Sequence, residues 1–214
     1  MYKLNYKNLW KRVFDFFAAL ILLIALSPFL LFVMLLIKCK MGSPIFFKQD
    51  RLGYNGEVFS IWKFRSMTNC RDDKGELRPD EYRLTRFGKI LRDWSIDELP
   101  QLWNVVIGDM SLIGPRPFIA EYASRYTSEQ MRRHEVRPGI SGWAQITGRN
   151  SINWNQKFIL DVWYVDHCSL LLDLKILFST IPLVLLRAGI TAENHATMPK
   201  WKGNDAVERE SLSE

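Results

Sequence analysis

From Phe16 to Ile37 every residue is apolar except Ser27, with Pro28 beside it. At a rise of about 1.5 Å per helical residue, such a run is long enough to cross a bilayer. It is too long for the apolar stretch of a signal peptide and no small-residue cleavage site follows, so it reads as a retained membrane helix. Pro28 removes one helical bond and its ring clashes with the Ile24 carbonyl, which predicts a bend that the Ser27 hydroxyl partly repairs. Basic residues flank both sides: Lys3, Lys7, Lys11 and Arg12 before, and Lys38, Lys40, Lys48 and Arg51 after. The positive charge that orients spanning helices therefore picks no direction. A kinked spanning helix and a re-entrant hairpin broken at Ser27-Pro28 both fit the pattern.

Beyond Met41 the segments shorten, punctuated by Gly42-Ser43-Pro44 and Gly53-Tyr54-Asn55-Gly56. Phe59 to Met67 reads as a strand with Lys63 and Arg65 on one face, either a phosphate-binding pair or ordinary surface charge. Asn69 to Asp80 reads as a polar loop. Glu81 to Trp94 predicts one amphipathic helix, with Leu84, Phe87, Ile90, Leu91 and Trp94 on one face and Arg83, Arg86, Lys89 and Arg92 around it, suited to an anionic surface. Ala120 to Glu135 predicts a helix, Arg137 to Trp143 a turn and Ala144 to Arg149 an extended piece. Asn153 to Val165 predicts a helix that carries Asp161 among aromatic residues. Leu170 to Leu186 is apolar but interrupted by Asp173, Lys175 and Pro182, which suits an interfacial helix better than a second span. The residues from Thr191 onward are polar and read as a loose tail. The fold class is α+β and mostly helical, divided into a basic N-terminus and membrane helix (1–40), a compact domain (41–190) and a polar C-terminal tail (191–214).

The stretch Ser95 to Pro117 carries the chemistry. Asp97 and Glu98 are adjacent carboxylates before an apolar spacing at Leu99, Leu102, Trp103 and Val106, which predicts a short helix with that face buried. With Asp97 as its N-cap, Pro100 falls in the first turn, where its missing N–H has no partner anyway. Capping and dipole compensation alone explain both carboxylates. A site is the sharper alternative: Arg92 lies five residues before Asp97, close enough to converge on one phosphate. Gly114-Pro115-Arg116-Pro117 is a rigid turn that limits the entropy lost when Arg116 binds an anion or a base.

With 214 residues, a net charge of +6 and 8 tryptophans, the chain suits a membrane surface or anionic substrates, with nucleic acid as the competing partner. Cys39, Cys70 and Cys168 form no C-x-x-C pair, and His134, His167 and His195 have no metal-ligand spacing, which points to a reducing compartment without a zinc site. Neither a G-x-x-x-x-G-K-[ST] loop nor a G-x-G-x-x-G turn is present, so a nucleotide must be held by other means. A metal-dependent phosphohydrolase or a tethered nucleic-acid-binding protein would share some of these features.

The ordered series Lys-Arg-Val-Phe-Asp at 11–15, Ser27-Pro28, Lys63-Phe64-Arg65-Ser66-Met67, Asp97-Glu98-Leu99-Pro100-Gln101-Leu102, Gly108-Asp109-Met110-Ser111, Gly114-Pro115-Arg116-Pro117, Arg137-Pro138-Gly139, Gly142-Trp143-Ala144-Gln145 and Leu160-Asp161-Val162 resembles the bacterial sugar transferases. The likeness is to small monotopic phosphoglycosyl transferases of the kind that starts N-linked glycan assembly in Campylobacter. It implies a re-entrant helix broken at Ser27-Pro28, a cytoplasmic catalytic domain on the inner membrane, and transfer of a sugar-1-phosphate from a UDP-sugar to undecaprenyl phosphate with Mg²⁺. UMP is released and the product passes to downstream glycosyltransferases; no nucleic-acid partner is implied. The matching residues imply Asp97 as nucleophile and metal ligand, Glu98 as base, Arg92 as phosphate binder and Arg116 near the nucleotide base. Lys63 and Asp161 match substrate-binding positions. The sugar is left open, a UDP-diacetylated amino sugar such as diacetylbacillosamine being one donor the likeness suggests.

Overall fold

A computed structural model describes residues 6–148, 152–186, 201 and 203. The apolar run forms one long helix, α1 (Lys11–Met41), entered through a wide turn at Tyr6–Trp10. Pro28 lies inside α1, and the Ser27 hydroxyl donates to the Ile24 carbonyl at 2.8 Å, the repair that the sequence predicts.

Both ends of α1 are held by the same folded body. At the N-terminal end Lys11 donates to Asp173 at 2.5 Å, Asp15 accepts from the Leu112 amide, and Ala19 is fully buried in the main core. Arg12 donates to the Val105 and Val106 carbonyls. At the other end Val33 and Ile37 pack with Phe64 and Leu91, while Arg65 donates to the Met41 carbonyl. Between these anchors Ile21, Ile24, Leu31 and Phe32 stand exposed.

Strands β1 (Phe46–Leu52) and β2 (Val58–Phe64) form an antiparallel hairpin, in register from Phe46↔Phe64 to Leu52↔Val58. The strand ends at Phe64, so Lys63 and Arg65 do not work as a pair: Arg65 turns inward to the Met41, Ser43 and Met67 carbonyls, while Lys63 faces Glu98. The expected helix over 81–94 is two helices, α2 (Asp80–Arg83) and α3 (Arg86–Asp93). Leu84 is extended and bridges Met67, and the Thr85 hydroxyl accepts from the Gly88 amide to start a new helix. Local capping outweighs the continuous periodicity here.

The next helix, α4 (Gln101–Ile107), starts later than the capping pattern predicts. Asp97 and Glu98 occupy a 3₁₀ turn, Ile96–Glu98, entered through Ser95 in the left-handed region, and Pro100 stands at the N-cap without an N–H to satisfy. The buried face of α4 is Gln101, Leu102, Asn104 and Val105, whereas Trp103 and Ile107 are half exposed. Asn104 earns that place by its hydrogen bonds. Its side chain accepts from the Trp62 amide and donates to the Ser60 carbonyl, locking α4 to β2.

Two short strands, β3 (Ser111–Ile113) and β4 (Gly139–Ser141), pair in parallel. The helix expected from Ala120 to Glu135 is broken into a 3₁₀ stretch at Ala120–Arg125, α5 (Ser128–Met131) and a further 3₁₀ turn at Arg132–His134. Thr127 and Gln130 form a capping box that restarts the chain. Ala144 to Gly148, read as extended, are instead mostly in a helix, α6 (Trp143–Thr147), packed on α7 (Trp154–His167) and α8 (Leu170–Leu185); Arg149 lies outside the described residues. The helix expected from Asn153 to Val165 forms as α7, capped by Asn153, and the interrupted apolar helix α8 agrees with the sequence. Asp173 on α8 is buried because Lys11, Tyr6 and Tyr164 all donate to it.

The C-terminal tail lies outside the described residues apart from Trp201 and Gly203. At Trp201 the polar-tail reading does not hold: this side chain is 1 % exposed, in a cluster with Tyr122 and Phe158.

Candidate active site

The site forms where the end of β2, the Ile96–Glu98 turn and the Gly114–Pro117 turn meet. Lys63 donates to Glu98 Oε1 at 2.6 Å, and Arg116 approaches the same carboxylate in a fork, 2.6 Å to Oε1 and 3.3 Å to Oε2. Burial by itself would raise the Glu98 carboxyl, but the Arg116 and Lys63 charges and their hydrogen bonds hold it well below the usual carboxylate range. Glu98 is therefore ionised and saturated.

Asp97 is the opposite case. Its residue is 7 % exposed, and no hydrogen bond or ion pair reaches its carboxylate among the described residues. Burial pushes its carboxyl up to about 6, helped by repulsion from Glu98 and opposed by Lys63, Arg92 and Arg116. Adjacent residues thus carry one neutralised carboxylate and one unpartnered carboxylate that titrates close to neutrality.

Arg92 joins the site from the last turn of α3. Its Nε donates to Ser66 Oγ at 2.9 Å, which aims the guanidinium across the end of β2. The approach requires Gly88, because a Cβ there would stand 1.8 Å from the Ser66 carbonyl oxygen.

The turn that carries Arg116 is held by four successive carbonyls. Pro115 accepts from the Gly139 amide at 3.0 Å, Arg116 from Arg133 at 2.7 Å, Pro117 from Arg51 at 3.2 Å and Phe118 from the Leu52 amide at 3.1 Å. Gly114 is needed beneath it, since a Cβ would meet the Arg137 carbonyl oxygen at 2.3 Å. Arg133 is itself fixed by Asp161, at 2.7 and 3.1 Å, and by the Phe118 ring, 4.2 Å from the guanidinium carbon. Asp161, 3 % exposed, thus stands beneath the Arg116 turn rather than beside Asp97.

Two cations near Arg116 were not legible as site residues in the sequence. Burial and the Arg116 charge lower Arg51 to about 10 and Lys157 to about 8. Arg51 Nε is buried without a partner among the described residues. Arg51 reads in the sequence only as a flank of the membrane run, and Lys157 only as one residue of the helix predicted over Asn153 to Val165; nothing in their local pattern marks them. Among the described residues, Arg51, Lys63, Arg92 and Arg116 set four cations beside the two carboxylates Asp97 and Glu98, a local excess of positive charge that suits a diphosphate.

Among the described residues no cluster of three or more His, Cys, Asp or Glu is built to hold a metal. The unpartnered Asp97 carboxylate is nevertheless a fitting donor for Mg²⁺, which is commonly held by one or two carboxylates together with substrate phosphates.

A profile of the bacterial sugar transferase family matches residues 6–187. An uncharacterized sugar transferase of Bacillus subtilis, EpsL, is 54 % identical over 197 residues, covering 92 % of this chain and 98 % of the relative. The undecaprenyl-phosphate glucose phosphotransferase of Komagataeibacter xylinus is 42 % identical over 185 residues, 80 % of this chain and 35 % of the relative. The UDP-glucose:undecaprenyl-phosphate glucose-1-phosphate transferase of Klebsiella pneumoniae is 39 % identical over 182 residues, 80 % of this chain and 39 % of the relative. With a site of unequal carboxylates ringed by cations and a family match over nearly the whole described chain, the protein belongs to the bacterial sugar transferase family.

Proposed function

We propose that the chain transfers a sugar-1-phosphate from a UDP-sugar to undecaprenyl phosphate, releasing UMP, through a covalent phospho-sugar on Asp97. The observation that carries this reading is the unpartnered Asp97 carboxylate, buried beside more cations than it and Glu98 can neutralise. The relatives named as undecaprenyl-phosphate transferases support the substrates.

In the first step a carboxylate oxygen of Asp97 attacks the phosphorus next to the sugar. The bond from that phosphorus to the bridging oxygen breaks, and UMP leaves with the oxygen and its electron pair. Arg92, Arg116 and Lys63 bind the diphosphate, and their charges stabilise the transition state. In the second step a phosphate oxygen of the lipid attacks the same phosphorus, and Asp97 is regenerated as the lipid diphosphate-sugar departs. Mg²⁺, when bound by Asp97 and the phosphates, supplies further neutralisation of the diphosphate charge.

Glu98 is a poor base while Lys63 and Arg116 hold it. A diphosphate that draws those cations away raises the Glu98 carboxyl again, so its basicity returns once the donor is bound. Glu98 thereby keeps both cations in place before the donor arrives.

For the membrane helix we favour the re-entrant arrangement with both ends on the cytoplasmic side. A straight α1 would be about 46 Å long, yet both ends attach to one folded body. Exposed Ile90, Trp94, Trp103, Ile107, Phe178 and Ile181 suit the bilayer interface beside it. In a cysteine-free background, single cysteines at Leu9 and Lys40 should both resist a periplasmic thiol reagent; labelling of Leu9 alone would establish a spanning helix.

The catalytic test omits the lipid. With Mg²⁺ and UDP-glucose, UDP-galactose, UDP-N-acetylgalactosamine or UDP-diacetylbacillosamine, the enzyme should release about one equivalent of UMP and gain the mass of the sugar phosphate. Asp97→Asn should abolish both. UMP release that strictly requires lipid, with no adduct, would overturn the covalent route.

A further inference from the structure

We propose that Trp201 is a positioning residue for the donor site, an inference that rests on the donor reading above. Its indole stacks on Tyr126, with centroids 5.3 Å apart and planes at 24°, and meets Phe158 edge-on at 4.9 Å and Tyr122 at 5.4 Å. Its backbone is fixed as well: the N–H donates to the Tyr122 hydroxyl at 2.8 Å, and the carbonyl accepts from Arg125 at 2.7 Å. A polar sequence neighbourhood gives no reason for such burial. The reason is what the box encloses.

Tyr126 and Phe158, the rings that Trp201 covers, flank the Arg133 guanidinium at 6.0 and 5.9 Å. Phe118 closes a further side, and Arg133 reaches out of this enclosure to the Arg116 carbonyl. Trp201 thus stands three contacts from the Arg116 backbone, through Tyr126 or Phe158 and then Arg133. A large aromatic side chain buries about 150–250 Å², so losing the indole opens a hole into which Tyr126 and Phe158 can turn. Close-packed rings fix one another's rotamers. With that wall gone, Arg133 no longer holds the Arg116 carbonyl in one place, and the fork that meets the diphosphate is presented less often in its binding geometry. Asp97 is carried by a different element, the Ile96–Glu98 turn, so its position does not depend on this wall.

The effect therefore belongs to donor binding rather than to lipid binding. The test uses full-length enzyme and whichever of UDP-glucose, UDP-galactose and UDP-N-acetylgalactosamine gives the fastest UMP release. Trp201→Ala should raise the donor KM about fivefold at saturating undecaprenyl phosphate and leave the lipid KM unchanged. Trp201→Phe should restore most of the affinity. In an Arg116→Ala background Trp201→Ala should add less than about twofold, because the group it positions is gone. Arg125→Ala, which removes the bond to the Trp201 carbonyl together with the cation–π contact on the Tyr122 ring, should raise the donor KM about twofold and decides the matter if Trp201→Ala does not fold. An unchanged donor KM in folded Trp201→Ala or in Arg125→Ala, a lipid KM that rises equally, or a full multiplicative effect without Arg116 would each overturn the inference. Failure of the wild-type enzyme to release UMP from any donor would instead overturn the donor reading itself.

Discussion

Asp97→Asn should make the protein more stable while ending turnover. Burial lifts the Asp97 carboxyl from 3.8 to about 6. The folded chain therefore keeps a proton that the unfolded chain releases, and stability falls as pH rises through the window from about 4 to 6. At ~1.36 kcal/mol per tenfold change in proton affinity, the ionised carboxylate costs the fold about 3 kcal/mol at pH 7.5 and roughly half that at pH 5. An amide of the same shape carries no such penalty. For a chain of this size the gain corresponds to a melting temperature higher by about 6–12 °C at pH 7.5. Thermal melting of detergent-solubilised wild type and Asp97→Asn at pH 7.5 and pH 5 measures both numbers. A variant that melts no higher than wild type at pH 7.5, or a difference that does not shrink at pH 5, would refute the reasoning. Confirmation would make Asp97 a place where stability is given up for reactivity.

The adduct-forming rate should follow the same carboxylate, falling tenfold per pH unit below about 6 as Asp97 becomes protonated; a rate flat to pH 5 would assign the attack elsewhere. Asp161→Asn should lower stability by about 3–5 kcal/mol, because it leaves the Arg133 charge buried without its counter-ion. Replacing both by apolar residues should recover much of the melting temperature but leave the donor KM raised, since the Arg116 carbonyl still lacks its donor. Arg92→Ala should cost about 1.5–3 kcal/mol of transition-state stabilisation in kcat/KM, with a smaller loss for Ser66→Ala, whereas exposed Arg86→Ala should leave kcat/KM close to wild type in detergent. Equal losses for Arg92 and Arg86 would argue against Arg92 as a phosphate ligand.

Features that depend on residues close in the chain were legible in the sequence. The apolar run with Pro28 and the Ser27 hydroxyl bond, the helix beginning near Asn153, the mostly helical class and the adjacent Asp97-Glu98 pair all rest on periodicity, side-chain chemistry or motif order. Where prediction went wrong, a local hydrogen bond or a distant partner had outweighed periodicity. Thr85 and Thr127 restart helices that an apolar spacing reads as continuous, and Asn104 is buried while Trp103 is exposed because Asn104 answers backbone groups of β2.

The division of labour inside the site belongs to tertiary structure alone. Asp97 and Glu98 are neighbours with the same charge in the sequence. The arrival of Lys63 and Arg116 at one of them makes Glu98 a saturated anchor, while burial gives the other, Asp97, a raised proton affinity that the same cations only partly offset. The stack that holds Arg116 is equally nonlocal: Arg51, Arg133, Asp161 and Trp201 come from separate parts of the chain, and no spacing announces them. A sequence determines which side chains are available and the local shapes they prefer. Proton affinity and side-chain orientation are set by burial and by charges brought through space, and these exist only in the folded chain.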